Sequence, residues 1–365
     1  MAQLKAPSVT ISFSEIAATA IERGERGVIG MILTDTTIGT YTIYDTTDIP
    51  STLSESNQKQ IKLALKGYQT APRKILVDVI ASKADIASAL KYFGSQYINY
   101  LVYPNAETDE VSETIASWIK SQRTKGYTYR AVLPNYTADD EYVVNVACGA
   151  TDEDGTKYTA EQLCSRIAGI ICGTPTTMSC TYAPLPEMAD CDRVDDLDAA
   201  VTAGKLMLMW DGSKVKICRG VTSLTTTSSE KGESFQKIKL VDAMAEIQYD
   251  IRTTIQDSYI GKYVNSYDNK CLLISAINAY FDQLRMDSMI SAGRAEIDVD
   301  EQRIYLKSKG SSFIITDSDG NEEEVDLAEA TDQQIKEANT GSKVFVRADV
   351  KLLDAIEDVQ LKVYL

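Results

Sequence analysis

Lys74-Ile-Leu-Val-Asp-Val-Ile80, the helix-patterned run Lys83–Phe93 and Ile98-Asn-Tyr-Leu-Val-Tyr103 decide the fold. The first and third are short, β-branched and largely apolar on both alternating faces, as strands covered on two sides must be. The segment between them has helical length, so the trio reads as a βαβ unit. The alternation continues outward. Upstream, Gly27-Val-Ile-Gly-Met-Ile-Leu33 is a buried strand, and Ser54–Tyr68 is a helix with Ile61, Leu65 and Tyr68 on one face. Downstream come a helix at Glu107–Arg123 with Val111, Ile115, Trp118 and Ile119 inward, and a strand at Tyr129–Leu133 closed by Pro134. A strand at Tyr142–Ala147 and a helix at Thr159–Ile171 follow. This order predicts an α/β domain with a mostly parallel sheet.

Such sheets carry ligands at the carboxyl ends of their strands, and the sequence places little chemistry there. Gly27 and Gly30 resemble the start of a phosphate loop, but neither a dinucleotide fingerprint nor a Walker-type lysine follows. They read as strand glycines that permit close packing. Asp139-Asp140-Glu141 is acidic. Asp152-Glu-Asp-Gly155 and Asp317-Ser-Asp-Gly320 put glycine fourth where a calcium loop requires it sixth, and both read as solvated turns.

Towards the C-terminus, Thr176–Leu185 is extended and Asp192–Ala203 a short acidic helix. Lys205–Trp210 and Lys214–Arg219 flank Asp211-Gly212 as a hairpin. Beyond a Ser/Thr-rich linker, Gln236–Tyr259 is an amphipathic helix with Leu240, Met244, Ile247, Ile251 and Ile255 on one stripe, and Asn269–Met286 is another. Strands are expected at Ala295–Val299, Arg303–Leu306, Ser312–Ile315 and Val344–Val350, with a helix at Asp332–Ala338. Helices followed by strands indicate an α+β domain. The expected organisation is an N-terminal arm and connector at 1–24, an α/β middle domain at 25–221, a linker at 222–235, a C-terminal α+β domain at 236–350 and a C-terminal arm at 351–365.

Composition narrows the function. The 365 residues include no histidine, which removes Ser-His-Asp and Cys-His catalysis, histidine zinc sites and HExxH proteases. A net charge of −16 without a basic cluster argues against a nucleic-acid partner. Seven cysteines form no CxxC pair and read as free, mostly buried thiols. No apolar run approaches the roughly eighteen residues of a membrane span, and Met1-Ala-Gln-Leu-Lys5 lacks a signal-peptide core. Cytoplasmic production is the expectation.

The two ends alternate as strands do. Val359, Leu361, Val363 and Leu365 share one face, with Gln360, Lys362 and Tyr364 on the other; near the start, Val9, Ile11 and Phe13 share a face. Their partners are strands of the same chain or of another copy, and periodicity leaves that choice open.

Three stretches carry a family resemblance. Arg219-Gly-Val-Thr-Ser-Leu-Thr-Thr226 resembles the RGVNSLTT signature of contractile phage tail sheath proteins, with Thr222 in place of Asn. Lys239–Asn265 is similar to that family's helix and its following IGK loop, and Asp354-Ala-Ile-Glu-Asp358 to its DAIED segment. The short middle domain resembles sheaths of defective prophages and R-type bacteriocins of Gram-positive bacteria. The resemblance implies a structural subunit, without cofactor, catalytic residue or metal, that polymerises with itself in six-fold rings or a six-start helix. Its implied partners are a tail tube protein and the baseplate and tail terminator proteins, with no membrane insertion. It would be made in a bacterial host's cytoplasm and built into a virion tail or tail-like particle that contracts to drive the tube through an envelope.

The resemblance further implies that Val9, Ile11 and Phe13, and Val359, Leu361, Val363 and Leu365, complete sheets of neighbouring subunits by β-augmentation. The connector 16–25 and the residues just before Val359 would act as hinges. Arg252, Lys262 and Lys270 are the candidate tube contacts. The alternative is a cytoplasmic α/β enzyme using a carboxylate or a cysteine.

Overall fold

The computed structural model describes residues 20–21, 23–24, 26–316 and 322–364. Val9, Ile11, Phe13, Leu365 and the turn at 317–320 lie outside the described residues. The chain divides into two compact units, one holding Arg23–Arg252, Arg285–Ser291 and Lys351–Leu365, the other including Thr253–Leu284 and Ala292–Val350.

The first unit is built on a sheet whose strands are β1 (Val28–Thr34), β2 (Gly39–Ile43), β3 (Lys74–Ile80), β4 (Tyr100–Val102), β5 (Arg130–Pro134), β6 (Val143–Val146) and, later in the chain, β10 (Lys205–Leu206). Their order is β10-β6-β5-β4-β1-β3-β2. Every pairing is parallel except β2 on β3. The helices are α1 (Glu55–Leu65), α2 (Ile86–Phe93), α3 (Ser112–Thr124) and α4 (Ala160–Cys172). Ile29, Met31 and Leu33 of β1 bury one sheet face with Ile61 and Ala64 of α1 and Ile167 of α4. Val28 and Ile32 bury the other with Leu90 and Phe93 of α2 and Ile115 and Ile119 of α3. Burial on both faces explains why these strands read as continuous apolar runs.

Gly27 and Gly30 are packing glycines. A Cβ at Gly30 would meet the Phe93 ring at 2.9 Å, and Gly27 sits at φ +71° against the Cys172 carbonyl. Gly169 lets α4 cross α1, because a Cβ there would lie 2.2 Å from the Ala64 carbonyl oxygen.

A small sheet joins β7 (Ala150–Asp152), β8 (Lys157–Tyr158) and β9 (Met188–Cys191). The Asp152 carboxylate closes its turn by accepting from the N–H groups of Asp154 and Thr156, as a solvated turn should. The acidic helix is shorter than expected: α5 covers Leu197–Thr202 behind the cap residue Asp196. The hairpin forms between β11 (Leu208–Trp210) and β12 (Val215–Ile217), whereas Lys205 and Leu206 leave it and join β6. The expected linker is not free at its start. Thr222, Ser223 and Leu224 are buried, and the Ser223 N–H donates to the Val143 carbonyl at 2.7 Å. Asp139, Asp140 and Glu141 form anchored ion pairs and caps: Arg123 pairs with Asp140 and Glu141, and Asp139 accepts from the N–H groups of Thr225 and Thr226.

The long helix α6 (Ile238–Thr254) belongs to this first unit as far as Arg252, although the sequence boundary at 236 put it with the C-terminal domain. Ile238 joins the core on one sheet face and Val241 the core on the other.

The second unit contains most of α7 (Tyr267–Met286) and β13 (Ile290–Ile297), then α8 (Val299–Lys307), β14 (Ser312–Thr316), β15 (Glu322–Asp326), α9 (Asp332–Glu337) and most of β16 (Val346–Leu352). The Asn278 amide on α7 bonds both the N–H and the carbonyl of Ala295 on β13. β13 and β16 form a two-stranded ladder, and β14 and β15 another. The strand expected at Arg303–Leu306 is the helix α8. Asp298 caps it, accepting from Glu301 N–H at 3.0 Å, and Gln302 and Leu306 face inward while Ile304, which suggested a strand, is exposed.

Candidate functional site

The crevice at the carboxyl ends of the parallel strands is filled by local bonds. The Asp35 carboxylate accepts from the Ser54 N–H and the Asn57 amide, and the Ser54 contact holds its carboxyl well below the usual range. Thr34 Oγ1 bonds the Tyr103 hydroxyl, which donates in turn to Asp109. Among the described residues no group of acidic or thiol side chains is arranged to hold a metal ion.

The thiols offer no nucleophile either. All seven cysteines are free, and burial pushes those of Cys148 and Cys180 up to about 12.

The organised polar chemistry lies at the chain's end. After β16 the tail crosses the first unit on a row of specific bonds. Leu353 N–H donates to the Met289 carbonyl at 3.0 Å, and its own carbonyl accepts from the Lys239 ammonium. The Lys237 ammonium donates to Asp354 at 2.5 Å. Glu357, its side chain only 7% exposed, accepts from Ser179 Oγ at 2.8 Å and Thr181 Oγ1 at 2.6 Å. Arg219 donates to Asp358 at 2.6 Å and lies 3.7 Å from the other Glu357 oxygen. Although Asp354 is partly buried, which opposes ionisation, the Lys237 ammonium holds its carboxyl below the ordinary range.

Beyond Asp358 no such bond is made among the described residues. Residues 359–364 have no strand pairing, and Val359, Leu361 and Val363 are 78%, 82% and 72% exposed. The residues just before Val359, expected to be a hinge, are therefore pinned, and the chain leaves its anchor at Asp358.

The connector's end is rooted on the same helix. Gly24 N–H donates to Asp250 at 2.8 Å, Arg26 pairs with Glu246 at 2.9 Å, and Arg23 pairs with Asp287. Lys239 and Asp250 are eleven residues apart on α6, so the two roots are separated by about 16 Å along one rigid rod.

The candidate tube contacts do not form a cluster of free cations. Arg252 belongs to the first unit, where its guanidinium donates to the Lys125 carbonyl at 2.9 Å and lies over the Tyr127 ring. Lys270 is only 2% exposed and donates to the Ala338 carbonyl at 3.1 Å, at the end of α9. Burial pushes its ammonium below the usual lysine range. Lys262 is exposed, and its ammonium reaches the Asp257 carbonyl.

Two family descriptions match the chain: "Phage tail sheath protein central domain" over residues 81–223 and "Phage tail sheath C-terminal domain" over residues 230–365. A tail sheath protein of Clostridium phage phiCD119 is 36% identical over 98% of both chains. The chain belongs to the phage tail sheath family.

Its fold is shared with distant assemblies. A chain from the baseplate structure of the anti-feeding prophage superposes with a TM-score of 0.62 at 13% identity, covering 99% of both chains. A chain from the contracted sheath complex of an extracellular contractile injection system superposes at 0.63 and 10% identity, covering 100% of this chain and 98% of that one. The protein is a structural subunit of a contractile tail sheath, not an enzyme. The anchor joins two sheath-like motifs that sequence separates: Arg219 opens the RGVTSLTT stretch, and Glu357 and Asp358 close DAIED. Each motif was readable, but no one-dimensional signal shows that they meet. Ser179, Thr181 and Lys237 carried no signal at all, and Lys239 only that of the first residue in the helix similar to the family's.

Proposed function

We propose that the segment Val359–Leu365 leaves its own subunit and adds a strand to the β13–β16 ladder of a neighbour, linking sheath subunits by β-augmentation. The observation that carries this is the abrupt change at Asp358, from an anchor of specific bonds to an alternating apolar segment that its own subunit leaves exposed. The acceptor is chosen because, among the described residues, this ladder has two strands only, and such a ladder is marginal alone. Val9, Ile11 and Phe13 are proposed to act in the same way from the other end. Contacts of this heterologous kind propagate into a helix, so the chain polymerises with itself in six-fold rings or a six-start helix.

The tail tube protein, the baseplate and the terminator are the proposed partners. The likeness to a chain of a six-fold symmetrised baseplate structure supports the second of these. Lys262 is the tube-contact candidate that stands, since it is exposed whereas Arg252 is half-buried and Lys270 buried. During contraction the anchored segments stay fixed while the chain swivels beyond Asp358, and the tube is driven through a bacterial envelope. Synthesis takes place in the host cytoplasm.

Deleting residues 359–365 tests this. The expected product is a folded, soluble subunit that forms no tubes under negative-stain microscopy. Tubes of normal length from the deletion would overturn the proposal.

A further inference from the structure

Beneath the first turns of α6 lies a cavity of about 390 Å³, wholly within the first unit. It is more than ten times the roughly 30 Å³ share of one water molecule. Its walls include the amino-terminal ends of β1, β4 and β5, and α6 itself. Arg26, Arg130 and Lys239 face it as cations, and Asp242 and Glu246 as acids.

Three buried guanidinium nitrogens here make no hydrogen bond, against one buried carboxylate oxygen, Glu246 Oε2, that accepts none. Arg130 is only 3% exposed, and neither its Nε nor one of its terminal nitrogens makes a hydrogen bond. Its Nε lies 3.2 Å from Asp242, but that same oxygen already accepts from the Tyr100 hydroxyl at 2.7 Å. Arg26 uses one terminal nitrogen on Glu246 and Thr176, and its other is buried without a partner. The acids are weak counter-ions, because burial pushes Glu246 up to about 8 and Asp242 above the usual range. A buried charged donor left without an acceptor costs more than a neutral one.

The helix ends point the same way. The N-terminal turn of α6, at Ile238 and Lys239, lines the cavity with its positive end, although the Ile238 N–H already donates to the Gly220 carbonyl and those of Leu240 and Val241 to the Lys237 carbonyl. The C-terminal end of α4 reaches the wall too, but its last carbonyls are occupied: Ile170 accepts from Thr174 Oγ1, and Gly169 and Ile171 from the N–H groups of Gly173 and Thr174.

We propose that this cavity binds a small oxyanion, of phosphate or carboxylate type, held between the guanidinium groups of Arg26 and Arg130. The ligand would supply the missing acceptors and tie the root of the connector, at Arg26, to strand β5. This goes beyond the structural role and does not depend on arm exchange.

The test is titration calorimetry on the full chain at constant ionic strength, with inorganic phosphate in one arm and citrate in the other. Saturable binding at one site per chain in either arm is expected and identifies the class. Arg26→Met should weaken it at least tenfold, and Arg26→Lys, which keeps the charge, should weaken it less. Crystals grown with tungstate should show the heavy atom between Arg26 and Arg130, a readout that holds even if a variant misfolds. No saturable binding in either arm, equal affinity in Arg26→Met, or a tungsten peak elsewhere would overturn the proposal.

Discussion

Leu361→Ser separates the fold from the assembly. Leu361 is 82% exposed in the subunit, so removing its side chain leaves the melting temperature within the small range of surface substitutions, about ±0.5 kcal/mol. In an added strand the same side chain is buried, and its loss costs about 2 kcal/mol. At 1.4 kcal/mol per factor of ten, the critical concentration for tube formation should rise roughly thirty-fold. The neighbouring position supplies the control. Lys362 sits on the opposite face of the alternation, and Lys362→Ser should change the critical concentration by less than about three-fold. Sedimentation across a dilution series, scored by negative-stain microscopy, measures both. Equal critical concentrations for Leu361→Ser and the parent would refute the reasoning, as would a subunit that melts several degrees lower, since that would place Leu361 in its own core.

The remaining expectations concern the anchor and the interior. Arg219→Met removes the bond to Asp358 and the ion pair to Glu357; with Arg219 partly exposed, the loss should be about 1–2 kcal/mol and local. Amide exchange of residues 353–358 should rise about ten-fold while that of β1 and β3 is unchanged. Glu246 makes stability depend on pH, facing Arg26, Asp242, Arg130 and Asp250. Its folded value of about 8 lies above the ordinary 4.5, so between these the folded chain keeps a proton that the unfolded chain has lost, and stability falls as pH rises. Melts at pH 5 and 8.5 should show Glu246→Gln losing less stability than the parent, by up to about 4 kcal/mol. Gly169→Ala should cost about 3 kcal/mol by thermal melting, because the Ala64 carbonyl it would strike is backbone that cannot turn aside.

What sequence revealed, and what it hid, follows from the range of the interactions. The βαβ order was legible because doubly buried strands such as Lys74–Ile80 must be apolar on both faces, a local property. β2 passed unnoticed because its edge position leaves it alternating and polar, Gly-Thr-Tyr-Thr-Ile. α8 misled because Ile304 and Tyr305 favour strands, while the Asp298 cap that fixes the helix is a single residue. The candidate site divides in the same way. The apolar alternation of Val359, Leu361 and Val363 is local and was read. The anchor that aims it is formed by Ser179, Thr181, Arg219, Lys237 and Lys239, none of which differs in kind from a solvated surface residue. Lys270 went the other way: a charge that looked exposed in one dimension is buried at the end of α9.

The polar interior beneath α6 bears on how such a subunit can pull on its neighbours. An apolar interface would hold α6 with at least as much stability, since buried ion pairs rarely gain over well-packed hydrophobic residues. Apolar contacts are non-directional, however, and tolerate sliding by a turn. The bond from the Tyr100 hydroxyl to Asp242, the ion pair of Asp242 with Arg130 and the bond from the Gly24 N–H to Asp250 are made at one register of the helix. Sliding α6 by a turn of about 5.4 Å would leave Asp242 buried without its partners and would move both chain roots together. Fixed register on α6 therefore fixes where both roots sit against the sheet, and the helix itself fixes their separation. A subunit linked through both ends passes tension between them along α6, and a helix locked by directional bonds passes it on without yielding.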